Sequence, residues 1–290
     1  MITVLGATGN TGARIVRQLR KAGVSVRAVG RDAGRLGAAG RLGAETWVGD
    51  THDRAFLTRV FAGVDGAYVL NPSDLTMPGY AARQETGGTA IAEALRAAGV
   101  PRVVALSAIG AELAAGTGYV ATLHDQERRL AAVGSDLLIM RPGLYYEWFL
   151  PALPRMRAEG VHVDVVDPSV AVPMVATRDV ADVAVTALLD GFAPGIQELL
   201  GPADHTFADA VVLIGEALGI GPVSYEALSE ETMRPILAAA GLSAEIVELH
   251  LEMTAALSAG VIRPLAGRGS ASITPTTLGE WASHLATITS

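Results

Sequence analysis

The sequence predicts an α/β protein, a Rossmann-type doubly wound parallel sheet with a smaller, mostly helical C-terminal substrate domain. Two observations predict this fold. Short apolar runs alternate with longer Ala-, Leu- and Arg-rich stretches in the first half, as in βαβ units. A glycine-rich segment follows the first apolar run and opens the first helical stretch. Right-handed crossovers between such units wind a parallel sheet with helices on both faces.

The predicted elements follow this alternation. Strands are expected over 2–5, 24–29, 45–48, 66–70, 102–106 and 136–140, and helices over 10–21, 53–61, 81–98 and 123–133. The regular alternation of predicted strands and helices ends after Pro142. Short strands over 161–166 and 171–175 precede a helix from Thr177, as its N-cap, to about Leu189. We therefore expect a first domain over 1–145 and a smaller second region over 146–290.

Two later segments resemble helix starts. Thr206 with Asp209, and Thr277 with Glu280, have the spacing of capping boxes, in which each residue bonds to the backbone of the other. The chain from Thr206 onward is therefore expected to be mostly helical.

Composition excludes several classes of function. The 290 residues contain no cysteine, which excludes disulfides, thiolate nucleophiles and cysteine-based zinc sites. The net charge of −8 without a basic stripe argues against nucleic-acid binding, and the six scattered histidines argue against a metal site. No apolar run is long enough to span a membrane, and no signal peptide is evident at the N-terminus. We expect a cytoplasmic protein with no membrane or nucleic-acid partner.

The strongest signal is the spacing Gly6-x-x-Gly9-x-x-Gly12 between a strand and a helix. In a dinucleotide site the first glycine allows a tight turn, the second lets the backbone approach a pyrophosphate, and the third lets helix and strand pack closely. The helix N-terminus then faces the phosphates. Three polar side chains of the segment add donors: Thr8, Asn10 and Thr11. The alternative is an ordinary glycine-rich turn, but its position after the first strand favours a dinucleotide.

The end of the second strand decides between the two nicotinamide cofactors. An acid there would hold the ribose 2′-hydroxyl of NAD, whereas an arginine would hold the 2′-phosphate of NADP. Arg31 stands at this point, with Arg35 one helical turn further, so NADP(H) is favoured over NAD(H). The alternatives are that Arg31 is a solvated surface residue and that Asp32 holds the 2′-hydroxyl or caps a helix.

Other residues follow strands at the edge where ligands bind. Asp50 ends the third strand and could either accept from the adenine amine or cap the next helix. Leu70 and Asn71 close the fourth strand, where the cofactor would pass. Ser107 closes the fifth strand and is placed to touch substrate or nicotinamide, or to form a turn.

These motifs, in this order, resemble the NmrA-like branch of the atypical short-chain dehydrogenases/reductases. The resemblance rests on five segments: residues 6–12, 29–32, 49–50, 106–108 and 138–143. It extends into the C-terminal half through residues 178–184, 237–241 and 267–269. It implies a Rossmann domain with a partly discontinuous substrate domain, and NAD(P)H binding. The branch contains NADPH-dependent quinone and triphenylmethane-dye reductases and also redox-sensing regulators.

The sequence departs from standard short-chain reductases at the catalytic pair. No tyrosine is followed four residues later by lysine, and Lys21 is the only lysine. A Tyr-x-x-x-Lys dyad is therefore absent. A quinone suits such a site because its reduction yields a resonance-stabilised anion that needs no strong acid. His124, in the region of the missing dyad, is the candidate for local acid help. The alternative is that it is a helix-start histidine that orders a loop or contacts the cofactor.

The densest aromatic cluster covers residues 145–149. Tyr145 and Tyr146, with Tyr119, are expected to line a pocket on which a flat aromatic substrate stacks. Trp148 belongs either to this pocket or, with Phe149, to packing between the domains.

We therefore expect an NADPH-dependent reductase of a quinone or a similar flat conjugated small molecule. The candidate catalytic residues are His124, Ser107 and Tyr119. The alternatives are a non-catalytic NADP(H) sensor that docks a partner protein and a biosynthetic reductase with one specific substrate. Assembly into a homo-oligomer stays open.

Overall fold

A parallel sheet of seven strands forms the centre of the computed structural model, which describes residues 1–269 and 272–289. Its strand order is β10-β6-β5-β4-β1-β2-β3, and every neighbouring pair is parallel. The strands are β1 (Ile2–Val4), β2 (Val26–Gly30), β3 (Glu45–Val48), β4 (Gly66–Val69), β5 (Arg102–Leu106), β6 (Asp136–Pro142) and β10 (Gly195–Leu199). The order reverses between β1 and β4, as in doubly wound sheets. The predicted fold class is confirmed.

Helices cover both faces of this sheet. One face packs α1 (Asn10–Lys21), α2 (Ala33–Arg41) and α7 (Thr177–Asp190) through a core that includes Ile15, Leu19 and Val180. The other packs α3 (Arg54–Phe61), α4 (Tyr80–Ala98) and α5 (Ala121–Ala131) through Phe61, Ile91 and Leu130. Because both faces are covered at the centre of the sheet, every residue of β1 and β4 is buried.

The second half of the chain builds two small sheets and a separate core. These sheets contain β7 (Leu144–Tyr145), β8 (Val161–Asp164), β9 (Val172–Val175), β11 (Asp204–His205) and β12 (Ser224–Ala227). The remaining helices are α6 (Leu153–Glu159), α8 (Phe207–Leu218), α9 (Glu230–Ala239), α10 (Ala244–Ser258) and α11 (Leu278–Thr289). Short 3₁₀ helices cover Gly118–Val120 and Tyr146–Ala152. Their core is rich in aromatic rings, with Tyr146, Phe149 and Phe207 fully buried.

Three predicted helix starts can be compared with the structure. Thr277 and Glu280 exchange side-chain to backbone bonds, so this capping box is confirmed. The Thr206 side chain accepts from the N–H of Asp209, which confirms Thr206 as a helix cap, but the Asp209 carboxylate accepts from the Thr206 hydroxyl instead of its N–H. The prediction of Thr177 as an N-cap is wrong. Ala176 occupies that position, and the Thr177 hydroxyl donates to Glu147 instead.

The strand β10 and the helix α2 were not predicted. Helix α2 contains three glycines in nine residues, which lowers its helical propensity, but Leu36 and Ala39 bury it against the sheet. Strand β10 is a short segment with an exposed first half, and only its pairing with β6 makes it a strand. It comes from beyond residue 145, and the domain boundary at that residue stays a prediction.

The two halves are joined on the face of the sheet that carries α1. Arg14 of α1 donates from Nε and Nη2 to the two carboxylate oxygens of Asp182 of α7, at 2.6 and 2.8 Å. Among the described residues, no helix combines the length and the apolar character needed to cross a bilayer.

Candidate active site

A cavity of about 490 Å³ lies at the carboxyl ends of β1, β4, β5 and β6. Ligands of doubly wound sheets bind at this edge, beside the point where the strand order reverses. Its first wall comes from the Rossmann half and includes Gly9, Asn10, Thr11, Leu70, Leu106 and Ser107. Its second wall includes Tyr119, Leu144, Tyr145, Glu147, Trp148, Thr177, Met253, Leu257 and Ile262. One cavity therefore joins the glycine-rich turn to an aromatic and apolar surface.

The glycine-rich turn leaves the start of α1 without a side-chain cap. Gly9 is the N-cap residue and provides no side-chain cap, and the first turn contains no acidic residue. Gly6 turns the chain with φ of +64°, a conformation that favours glycine. The free N–H groups and the positive end of the helix dipole form an anion site of the kind that holds phosphates.

Gly9 and Gly12 differ in what the protein itself requires. A Cβ atom at Gly12 would overlap the carbonyl oxygen of Gly6, so α1 packs against the turn only because Gly12 has no side chain. A Cβ atom at Gly9 would meet no atom closer than 3.4 Å, and the residue has ordinary extended dihedrals. Since folding does not require glycine at position 9, its use there fits the close approach of a ligand to the backbone.

The polar residues of the turn have separate positions. Asn10 is exposed and lines the cavity. Thr11 also lines it, but its hydroxyl is buried and accepts from the Tyr68 hydroxyl at 3.0 Å. Thr8 does not line the main cavity, and its carbonyl accepts from Arg35 Nη2 at 2.9 Å.

The two arginines after β2 lie outside the main cavity. Arg31 is exposed, and its Nη1 lies 3.9 Å from Asp74. Arg35 lines a smaller cavity of about 250 Å³ between α1 and α2, together with Thr8. Asp32 accepts from the N–H of Arg35 at 2.9 Å and is the N-cap of α2, which is the cap alternative left open by the sequence.

Asp50 and Asn71 are held by local contacts. Oδ1 of Asp50 accepts from the backbone N–H of His52 at 3.0 Å and lies 2.7 Å from Nδ1 of the same residue. Asp50 does not cap α3, because Asp53 does so, and that alternative is wrong. Asn71 donates to the carbonyl of Gln84 at 2.7 Å. Neither Asp50 nor Asn71 lines the main cavity, whereas Leu70 does.

Ser107 belongs to a buried charge network under the cavity floor. Its hydroxyl donates to Glu127 at 2.6 Å. Arg141 donates to the same carboxylate from Nε at 2.9 Å and from Nη2 at 2.6 Å, and to Glu112 from Nη1 at 3.0 Å. These bonds raise the pKa of Arg141 and keep it charged. Because its one proton goes to Glu127, the Ser107 hydroxyl presents only acceptor lone pairs to the cavity.

His124 does not reach the cavity. It lies in the first turn of α5, and its Nδ1 is 3.1 Å from the carbonyl oxygen of Ala111. The ring therefore contacts the loop after β5, which is the loop-ordering alternative considered from the sequence.

Three of the four predicted aromatic residues line the cavity: Tyr119, Tyr145 and Trp148. The expectation that Tyr146 does so is wrong. Tyr146 is fully buried in the C-terminal core, its hydroxyl donates to the carbonyl of Thr276 at 3.2 Å, and its ring lies 5.8 Å from that of Trp281. Tyr146 begins the 3₁₀ helix that follows the extended Tyr145, so the two side chains point in different directions.

The two tyrosines of the cavity are neutral phenols. Burial raises the pKa of Tyr119 and of Tyr145 above the ordinary value. The Tyr119 ring packs edge-on against Tyr80 at 6.4 Å, and within the described residues no hydrogen bond holds the Tyr119 hydroxyl. This hydroxyl is free to donate to a ligand.

Trp148 is fixed by two contacts. Its indole N–H donates to the buried carboxylate of Asp164 at 3.1 Å, and its ring stacks on His250 at 5.2 Å between centroids. Burial lowers the pKa of His250, so the stacked imidazole is neutral near pH 7. The indole is therefore a rigid platform for a flat ligand.

Several cavity residues were not singled out from the sequence. Glu147 lies within the recognised aromatic cluster, and its carboxylate accepts from the Thr177 hydroxyl at 2.7 Å, from the Thr177 N–H at 3.2 Å and from the Trp281 indole at 3.1 Å. Met253 and Leu257 are four residues apart on α10, a spacing that in sequence indicates only a buried helix face.

The described residues contain no group of three side chains suited to hold a metal ion.

A family model described as NAD(P)H-binding matches residues 6–191, which include the turn and the wall residues up to Thr177. The chain belongs to this NAD(P)H-binding family. The resemblance drawn from the sequence motifs is thereby confirmed at the level of a nicotinamide-cofactor family, and the free N-terminus of α1 is the part of the structure that fits such a cofactor.

Known proteins similar to this member of the family cover nearly the whole chain. The NAD(P)H azoreductase of Xenophilus azovorans is 26% identical over 256 residues, 88% of this chain and 86% of that protein. The NADPH-dependent quinone oxidoreductase of Escherichia coli, solved with NADPH, is 24% identical with a TM-score of 0.82 over 98% of this chain and 99% of that one. The Citrobacter sp. triphenylmethane reductase, solved with NADP(H), is 21% identical with a TM-score of 0.81 over 99% and 100%. These structural likenesses show a common fold.

The contrast between Gly9 and Gly12 predicts different effects of the same added methyl group. Gly9→Ala is expected to leave the melting temperature nearly unchanged and to weaken NADPH binding by about tenfold or more, because the methyl keeps the pyrophosphate from the backbone. Gly12→Ala is expected to cost about 1–3 kcal/mol of folding stability, because it overpacks the turn. Thermal unfolding and fluorescence titration with NADPH measure the two effects. Unchanged NADPH affinity in Gly9→Ala would remove the pyrophosphate from this turn.

Proposed function

We propose that this protein is an NADPH-dependent reductase of a neutral or charged flat, conjugated small molecule such as a quinone or a dye. The observation that carries the proposal is the single cavity in which the glycine-rich turn faces Trp148 and Tyr119. The names of the azoreductase, quinone oxidoreductase and dye reductase similar to this chain support the same class of acceptor.

In the proposed assignment, the backbone of the turn holds the pyrophosphate. Gly6, Gly9 and Gly12 shape the turn, and Asn10 and Thr11 lie beside it. Ser107 and Leu70 line the adjoining strand ends, where the nicotinamide would lie. When bound, the reduced nicotinamide supplies the hydride, and the protein supplies orientation and exclusion of water.

The acceptor would lie against the second wall. The Trp148 ring offers a flat surface, and Met253 and Leu257 add apolar surface to the same wall. Tyr119 is the only one of the three candidate catalytic residues whose polar group is free within the described part of the chain: Ser107 donates to Glu127, and His124 contacts Ala111. We therefore propose Tyr119 as the hydrogen-bond donor to the acceptor.

The absence of a neighbouring lysine decides what Tyr119 can do. Lys21, the only lysine, is exposed in the last turn of α1. Without a nearby cation, and with its pKa raised by burial, Tyr119 is a weak acid. It can stabilise a developing oxyanion by a hydrogen bond but does not readily give up its proton. This suits acceptors whose reduced form is a delocalised anion, protonated later by water.

The preference for NADPH would rest on Arg31 and Arg35. Both are exposed cations close to the end of β2, and the guanidinium of Arg31 has only a distant partner in Asp74. A 2′-phosphate would gain a charge-assisted bond there that a 2′-hydroxyl would not.

The primary test is the loss of absorbance at 340 nm with purified protein, NADPH or NADH, and a panel of quinones, azo dyes and triphenylmethane dyes. We expect acceptor-dependent oxidation that is faster with NADPH than with NADH. Protein that binds NADPH but oxidises it with no acceptor would instead support the cofactor sensor or a reductase with one narrow substrate.

The Tyr119 assignment predicts an effect on turnover alone. Tyr119→Phe is expected to lower kcat by about tenfold or more, since one hydrogen bond to the developing oxyanion is lost, with NADPH affinity unchanged. Tyr80→Phe is the matched control, because the Tyr80 ring packs on Tyr119 but lies outside the cavity. Steady-state kinetics of the two variants separate the effects. Equal kcat values in Tyr119→Phe and the parent protein would exclude this donor.

The Arg31 assignment predicts a change in cofactor preference. Arg31→Glu is expected to weaken NADPH binding by more than about tenfold, because a cation opposite the 2′-phosphate becomes an anion, and to change NADH binding little. Arg128→Glu, on the exposed side of α5, is a control with the same change of net charge. Fluorescence titration with both cofactors gives the dissociation constants, and equal losses for NADPH and NADH would remove Arg31 from the phosphate.

A further inference from the structure

The wall of the main cavity carries a negative charge and no positive one among the described residues. Glu147 is its only acidic or basic residue, and no Arg, Lys or His among residues 1–269 and 272–289 lines it. All three hydrogen-bond partners of Glu147 are donors, as a carboxylate requires, and none of them is a cation. A ligand in the cavity therefore meets a carboxylate that no salt bridge neutralises.

Two further carboxylates stand directly behind the wall. Glu127 accepts from the hydroxyl of Ser107, and Asp164 accepts from the indole N–H of Trp148, so each is one hydrogen bond away from a lining residue. Both carboxylates are at least nine-tenths buried. Buried charges are poorly screened by salt, and their field reaches into the cavity.

The nearby basic groups offset this negative charge only in part. Arg141 is bound by Glu127 and Glu112 and pairs in register with a third buried acid, Glu198, on the neighbouring strand. His162 and His250 flank Asp164, but burial lowers the pKa of both, and they are neutral near pH 7. The acceptor side of the cavity is therefore electronegative.

We propose that Glu147 makes this cavity selective for the charge of the acceptor: cationic acceptors are preferred to neutral ones, and acceptors that carry a carboxylate or sulfonate are excluded. The proposal rests on the proposed reductase function and names the chemical class of its substrate. An anionic group in the cavity would lose its hydration and face a like charge at short range without a compensating cation.

The charges of the acceptor before and after reduction predict the same preference for cationic over neutral acceptors. A cationic acceptor that takes up a hydride, as the C–H bond of the reduced nicotinamide breaks, ends neutral and leaves the positive charge on the nicotinamide ring. A neutral acceptor ends as an anion, which takes a proton from water afterwards. The carboxylate of Glu147 makes the anion less favourable, which the hydrogen bond from Tyr119 counteracts, and it favours the positive charge. The cationic acceptor therefore gains in binding and in the reaction relative to the neutral one.

The test uses three naphthoquinones that differ only at the end of one saturated three-carbon side chain: a carboxylate, a primary amide and an ammonium group. The saturated chain insulates the ring, so the three reduction potentials are alike. We expect kcat/KM with NADPH to be at least tenfold higher for the amide than for the carboxylate, and highest for the ammonium compound. Values for carboxylate and amide within twofold of each other would overturn the proposal.

The residue assignment is tested with Glu147→Gln, which keeps the size of the side chain and removes its charge. The ratio of amide to carboxylate kcat/KM is expected to fall at least threefold in this variant. Glu226→Gln is the control, since Glu226 is exposed on β12 and does not line the cavity. Should Glu147→Gln fail to fold, the comparison of the three acceptors on the parent protein still decides whether the cavity selects by charge.

A binding measurement separates this proposal from the proposed function. Calorimetric titration of the three naphthoquinones is done with the tetrahydro analogue of NADPH, whose ring is uncharged and transfers no hydride. Charge-ordered affinities without turnover would support the selective cavity and count against the reductase. Turnover with equal affinities and equal kcat/KM would support the reductase and reject the selectivity.

Discussion

The buried guanidinium of Arg141 fixes the base of the cavity. It is 5% exposed, lies on β6, and binds Glu127 of α5 and Glu112 of the segment after β5, while Glu127 in turn holds Ser107 at the end of β5. A buried cation of this kind is tolerated only because its N–H groups donate to carboxylates that balance its charge. Removal of Glu127 would leave Glu112 as the carboxylate bound to this guanidinium and would also break the bond to Ser107. This arrangement ties the ends of β5 and β6 to α5.

The two walls of the cavity are made in different ways. The cofactor wall is mainly backbone: a left-handed Gly6, an uncapped helix start and the close contact of Gly12 with the turn. The acceptor wall consists mainly of side chains from the two 3₁₀ helices, from β7 and from α10. Backbone geometry depends on few residue types, whereas side chains can be exchanged without altering the sheet. A change of acceptor therefore requires substitutions only in the second wall, with the hydride chemistry untouched.

The sequence was sufficient for features that depend on local pattern. The βαβ alternation, the glycine spacing and the helix starts at Thr206 and Thr277 are encoded within a few residues of each other, and β5 was predicted with its observed bounds. Features that depend on distant partners were not predicted. Strand β10 exists because β6 offers it an edge, and Glu147 lines the cavity because Thr177 and Trp281 hold it there. The prediction that Tyr146 lines the cavity was wrong because the backbone changes from extended at Tyr145 to a 3₁₀ helix at Tyr146. The presence of neighbouring aromatic residues in the sequence does not indicate that change.

Strand β10 also sets the order in which the molecule can be completed during synthesis. The first six strands of the sheet end at Pro142, but β6 remains an open edge until Gly195–Leu199 arrives, more than fifty residues later along the chain. An unpaired parallel edge is a template for wrong partners. A ribosome that pauses between these two strands would expose this edge, whereas rapid translation through α7 would cover it.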